Sequence, residues 1–201
     1  MNNKIFGIGL HKTGTTTLLE CLRILGLDIC PKIKGYAIRQ VTATLDFVPC
    51  LHLACQHQSF VDSPWCYKNV YRVLDVSFPG ALFILTTRDP YSWFQSLSRW
   101  VKRNESAEWI DMLATIGTEF DVNNEQKMIE AYVSHCMEVQ KYFSSQWALG
   151  KLLTVNWETG DRWNRLCEFL DIQAPHEGFG FPYMERYDQN TDSYTSYSPV
   201  N

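Results

Sequence analysis

Residues 4–18 read Lys4-Ile5-Phe6-Gly7-Ile8-Gly9-Leu10-His11-Lys12-Thr13-Gly14-Thr15-Thr16-Thr17-Leu18, and the fold turns on this stretch. Ile5 to Leu10 is a short apolar run that closes on Gly and polar residues, which predicts the first, buried strand of a parallel sheet. Leu18, Leu19, Leu22, Ile24 and Leu25 then recur at helical spacing until Gly26 supplies a stop. Gly9 to Thr17 is therefore a strand-to-helix junction, where the first backbone N–H groups of the helix lack intrahelical partners. Such a junction binds anions. Gly9 and Gly14 permit tight turning and close backbone approach, while Lys12 and the hydroxyls of Thr13, Thr15, Thr16 and Thr17 add donors around a phosphate.

Outward from this junction the chain alternates between short apolar runs and helical periods. Ser59 to Asp62 reads as a second strand closed by Ser63-Pro64, and Tyr67 to Phe78 carries Val70, Tyr71, Leu74 and Phe78 on one helical face. Ala81 to Thr87 is the clearest strand. Asp89-Pro90 after it reads as a helix start, with proline at the first helical position and the helix running to about Lys102. Further helices are expected near Ala107 to Ile116, over Glu125 to Ser144 and around Trp163 to Leu170, with a strand over Lys151 to Asn156. The stretch from Cys30 to Gln58 follows no clean period and is expected to hold helices and loops. The alternation predicts an α/β fold, three-layer, with a central, mostly parallel sheet flanked by helices, P-loop-like in its first turn. Residues 1–186 form one domain in this reading. Residues 187–201, rich in Tyr, Ser, Asp and Asn, are expected to be a C-terminal tail, either a surface extension or a disordered end.

The bulk composition narrows the function classes. A chain of 201 residues with 45% hydrophobic and 20% charged side chains is that of one folded domain. A net charge of −4 argues against a broad nucleic-acid surface but leaves room for a local basic pocket. The amino terminus carries no apolar run of signal-peptide or membrane-spanning length, so a cytoplasmic protein without a membrane span is expected. Seven scattered cysteines with no CxxC pair give no metal-ligand spacing and no disulfide framework. Most of them are expected to be small buried hydrophobes. Trp65, Tyr67, Trp93, Trp100 and Trp109 are read chiefly as core aromatics.

A nucleotide-hydrolysing P-loop has the form G-x-x-x-x-G-K-S/T. Gly9 and Gly14 keep that spacing, but Thr15 stands where the lysine belongs, and Lys12 comes before the second glycine. The clearest strand ends in Thr87-Arg88 and offers no magnesium-binding Asp. Leu10-His11-Lys12-Thr13-Gly14-Thr15-Thr16-Thr17-Leu18 instead resembles the 5′-phosphosulfate loop of sulfotransferases that use 3′-phosphoadenosine 5′-phosphosulfate (PAPS), with His11 in the usual proline position. The likeness extends to Asp62-Ser63-Pro64, Phe78-Pro79-Gly80, Arg88-Asp89-Pro90-Tyr91-Ser92-Trp93, and the segment Trp163 to Leu170 with Phe181-Pro182. It covers most of residues 4–184.

This resemblance implies transfer of a sulfuryl group from PAPS to a hydroxyl or amine of a small-molecule or glycan acceptor by in-line displacement, without metal. It implies that Lys12, Thr13, Gly14, Thr15, Thr16 and Thr17 hold the 5′ side of the donor. Arg88 at a strand end and Ser96 eight residues later match the family pair that holds the 3′-phosphate. An arginine fork suits two phosphate oxygens and a serine adds a hydroxyl donor. Lys12 is the expected catalytic donor to the leaving oxygen, Asp62 the candidate general base, and His11 a candidate donor to the transferred group. The Arg-Lys-Gly segment that small-molecule members use on the 3′-phosphate has no clear counterpart near the end. A P-loop nucleotide kinase and a non-catalytic nucleotide-binding module stand as the alternatives.

Overall fold

Ile5–Gly7 (β1), Ser59–Val61 (β2), Leu82–Thr86 (β3) and Leu152–Val155 (β4) are apolar runs too short for a helix, and all are largely buried. The computed structural model describes residues 3–31, 46–103, 121, 123–176, 179–183, 186–188, 193–195 and 198–200. The expected helix near residues 107–116, and Trp109 with it, lie outside these. The four strands form one sheet in the order β2-β1-β3-β4, every pairing parallel. Register places Phe6 between Phe60 and Phe83 on one face. Their rings lie 4.7 and 5.6 Å apart, each pair contributing about 0.5–1.5 kcal/mol beyond area burial.

Helices cover both faces, which is why these strands read as continuous apolar runs. Six helices occur among the described residues: Thr15–Ile24 (α1), Val48–Gln56 (α2), Val70–Ser77 (α3), Pro90–Arg103 (α4), Glu125–Phe143 (α5) and Trp163–Leu170 (α6). Leu18 and Leu22 of α1 join Trp163, Leu166 and Leu170 of α6 over Ile5, Val61, Ile84 and Leu153. Cys50 and Ala54 of α2, Val70, Tyr71 and Leu74 of α3 and Val139 and Phe143 of α5 close the Phe6 face. A third cluster packs Trp93, Phe94 and Leu97 of α4 against Met128 and Tyr132 of α5. Asp89 caps α4 as its sequence predicts, accepting from the Ser92 N–H at 2.8 Å.

Phe181–Tyr183 (β5) pairs antiparallel with Ser198–Val200 (β8), and Arg186–Asp188 (β6) with Ser193–Thr195 (β7). The described parts of the expected extension are thus bonded back to the end of the domain. Strands of three residues carry too few side chains for alternation to be read.

The strand order reverses direction beside β1: β2 lies on one side of it, β3 and β4 on the other. Such a switch point opens a crevice at the carboxyl ends of the strands. The loop leaving β1 and the junction leaving β3 both start at this edge.

Candidate functional site

The β1–α1 loop is held in shape by its own residues. The Thr13 hydroxyl donates to the Leu10 carbonyl at 2.6 Å and lies 2.6 Å from the Thr86 hydroxyl. One proton cannot serve both, so Thr86 donates to Thr13 and ties the loop to the end of β3. A Cβ on Gly9 would lie 2.6 Å from the Thr86 carbonyl oxygen, which explains glycine there. Gly14 has φ 94, and a Cβ on it would lie 2.9 Å from Trp157 Nε1. The indole N–H donates to the Gly14 carbonyl at 3.1 Å. These glycines are demanded by packing within the protein, in addition to any need of a phosphate.

Lys12, half-buried, also has a positive φ of 67. Leu18 N donates to the Gly14 carbonyl at 3.1 Å, the first α1 bond, so the N–H groups of residues 14–17 precede the intrahelical ladder. Thr15 and Thr17 are buried and Thr16 is half-buried. Among the expected phosphate ligands, Thr13 spends its hydroxyl proton on the loop.

His11, Asp62 and Ser63 are brought together by parallel pairing of β1 with β2, since Gly7 opposite Val61 sends both chains out at the same edge. His11 Nδ1 lies 3.3 Å from Asp62 Oδ1, and Nε2 lies 2.8 Å from Ser63 Oγ. Burial disfavours the imidazolium, but Cys66 and the Asp62 carboxylate outweigh it and hold the His11 pKa up at about 10. A raised pKa favours the protonated ring, in which Nδ1 faces Asp62 and Nε2 faces Ser63. A ring in that form cannot take a further proton. Asp62 sits at φ 72 just past β2, and the Trp93 indole fixes the His11 backbone by donating to its carbonyl at 2.9 Å.

Arg88 leaves β3 across the crevice. Its backbone is pinned by Tyr132 of α5: the Arg88 N–H donates to the Tyr132 hydroxyl at 2.9 Å, and that hydroxyl donates to the Arg88 carbonyl at 3.0 Å. The guanidinium forms an ion pair of 2.6 Å with Glu158. Its Nε is buried and has no hydrogen-bond partner among the described residues, an unmet donor that a phosphate oxygen would satisfy. Ser96 is 3% exposed, on the inner face of α4 with Trp93 and Leu97. It is enclosed and not a solvated helix position.

Sequence reasoning missed Trp157 and Glu158. They occupy a 3-10 turn over Trp157–Thr159 just past β4, opened by the Asn156 side chain accepting from the Glu158 N–H. The usable signal was their place after the carboxyl end of a parallel strand. Trp65 and Trp93 are fully buried, the latter stacked on Tyr132 at 4.5 Å, so they belong to the core. Among the described residues no group of acids, histidines and cysteines could hold a metal, and all seven cysteines are free thiols. No described helix is long and apolar enough to cross a membrane.

A model of the family described as "Sulfotransferase domain" matches residues 4–189. The chain is also similar to Ava biosynthesis cluster protein M of Aspergillus versicolor, at 23% identity over 234 residues, covering 96% of this chain and 85% of that protein.

Proposed function

We propose, from the premise that this chain belongs to the sulfotransferase domain family, that it moves a sulfuryl group from PAPS to a hydroxyl or amine of a small-molecule or glycan acceptor. The observation that carries this reading is that the Lys12 loop leaves β1 and Arg88 leaves the neighbouring β3 at the same carboxyl edge of the sheet, beside its switch point. PAPS supplies an activated sulfuryl group whose bridging oxygen gains negative charge on release. The buried, unmet Nε of Arg88 and the helix N-terminus behind Lys12 fit the two anionic ends of such a donor.

Lys12 and the N–H groups of residues 14–17 would hold the 5′ side, with Thr15, Thr16 and Thr17 closing the first turn. Lys12 would serve as donor to the oxygen that gains charge, an interaction that strengthens toward the transition state and so raises the turnover number. Thr13 supports the loop that aims them. Arg88 would bind the 3′-phosphate from a backbone fixed by Tyr132, with the buried Ser96 as the second donor. His11, cationic through both nitrogens, would support charge on the transferred group. Asp62 is then the group left to accept the acceptor's proton. A biosynthesis-cluster relative favours a small molecule as acceptor.

The test is thermal stabilisation by nucleotides, since a ligand of the native state raises its apparent stability. Adenosine 3′,5′-bisphosphate without Mg2+ is expected to raise Tm well above adenosine 5′-monophosphate at equal concentration. Equal shifts would remove the two-phosphate site. A shift with ATP that requires Mg2+ would favour the kinase alternative.

A further inference from the structure

Arg88 offers terminal nitrogens for anions, and one of them already faces a carboxylate. Glu158 Oε1 lies 2.6 Å from Arg88 Nη2, with the two side chains 34% and 27% exposed. The turn that carries Glu158 is firmly held on its other sides. Trp157 beside it donates to Gly14 of the β1–α1 loop. The Asn156 N–H donates to Asp161 at 2.7 Å, and Arg162 donates to the Trp157 carbonyl at 2.7 Å. Burial raises the Asp161 carboxyl, but the Asn156 N–H, Arg165 and Arg162 pull it below its ordinary value, so the turn rests on an ionised acid. The backbone under Glu158 is thus fixed between the two halves of the crevice, and the motion left to Glu158 is that of its side chain.

We propose that Glu158 is a specificity-determining residue of the donor site, a carboxylate on Arg88 Nη2, the nitrogen that shares one edge of the guanidinium with Nε, which must yield Nη2 for a 3′-phosphate to be held by both. This rests on the reading that Arg88 holds the 3′-phosphate. A phosphate oxygen and a carboxylate cannot both sit on one N–H direction, and two anions held side by side repel. Glu158 therefore weakens every ligand that carries a 3′-phosphate and leaves ligands without one untouched. Because the pair is partly exposed, the displacement cost is modest and Glu158 can swing into solvent.

The experiment is calorimetric titration of wild-type, Glu158→Gln, Glu158→Ala and Arg88→Ala proteins with adenosine 3′,5′-bisphosphate and adenosine 5′-monophosphate, each variant first checked by thermal melting. Glu158→Gln is expected to tighten the bisphosphate about two- to fivefold, the scale of a partly exposed ion pair, with the monophosphate unchanged. Glu158→Ala should move the same way. An unchanged or reduced preference for the bisphosphate in both variants would overturn the proposal, a reduction showing that Glu158 orients Arg88 for the phosphate. Arg88→Ala separates this from the underlying reading. If it leaves bisphosphate affinity intact, the 3′-phosphate assignment itself fails; if it weakens the bisphosphate while the Glu158 variants do not tighten it, only the role of Glu158 fails.

Discussion

The β1–α1 loop and the β3–α4 junction flank one crevice, yet they are built differently. The first is made by backbone: two glycines, the N–H groups ahead of the α1 ladder, and a threonine pair of 2.6 Å that ties it to β3. The second is made by side chains from distant elements, Tyr132 from α5 fixing the Arg88 backbone and Glu158 holding its guanidinium. A backbone site keeps its shape whatever occupies it. A side-chain site has partners that compete with its ligand, so its affinity is tuned by residues outside the motif. In the proposed function, chemistry that demands fixed geometry would fall to the loop, and discrimination between ligands to the junction.

The comparison is tested hardest at Lys12. Lys12→Ala is expected to lower the turnover number about 10²- to 10³-fold, the usual effect of removing one transition-state donor, with far less loss of bisphosphate affinity. Steady-state kinetics with a working acceptor, beside calorimetry, measures both. An unchanged turnover number would strip the loop of its catalytic part.

At the junction the effect should fall on binding instead. Arg88→Ala is expected to cost about 1.5–3 kcal/mol of bisphosphate affinity and Ser96→Ala about 0.5–1.5, each sparing adenosine 5′-monophosphate. If both touch one phosphate, the double variant will lose less than the sum. Strict additivity, with equal damage to both nucleotides, would make Arg88 and Ser96 residues of the fold.

The smallest effect sharpens the contrast through pH. His11, with its folded pKa raised from 6.5 to about 10, contributes stability that is complete below pH 6.5 and is lost as pH rises through 10. His135 of α5 is 6% exposed, and burial depresses it to about 4 even though it bonds the Ile8 backbone. Its contribution is present above pH 6.5 and is lost as pH falls toward 4. Urea unfolding from pH 5 to 9 should therefore show highest stability near pH 6.5, with the alkaline decline reduced in His11→Gln and the acid decline reduced in His135→Leu. A decline equally steep in His11→Gln would disconnect the His11–Asp62 pair from the stability of the loop.

Much of this was legible beforehand, for identifiable reasons. β3 and α6 fall where their apolar patterns put them, because an unbroken apolar run after Pro79-Gly80 and a helical apolar period are each read within one segment. The α4 start was written in Asp89-Pro90, a signal that needs no tertiary partner. The 3-10 turn with Trp157 and Glu158 was not legible, since three residues have no period and their partners, Gly14 and Arg88, are remote in sequence. Ser96 was picked out by its spacing from Arg88, but its burial on α4 was not legible from the residue type.

The sequence by itself determined the parallel α/β sheet, the glycine- and threonine-rich loop at its first turn and the arginine at the end of β3. Each is a local pattern of apolar spacing, glycine and capping chemistry. Only the tertiary structure decided that His11 meets Asp62 and Ser63, that Thr13 spends its hydroxyl on the loop, and that Glu158 faces Arg88. Those pairings follow from strand order and register, which bring together the carboxyl ends of strands far apart in the chain. Register is fixed by how the Phe6, Phe60 and Phe83 face and its opposite pack against the covering helices, a property of the whole core and of no single segment.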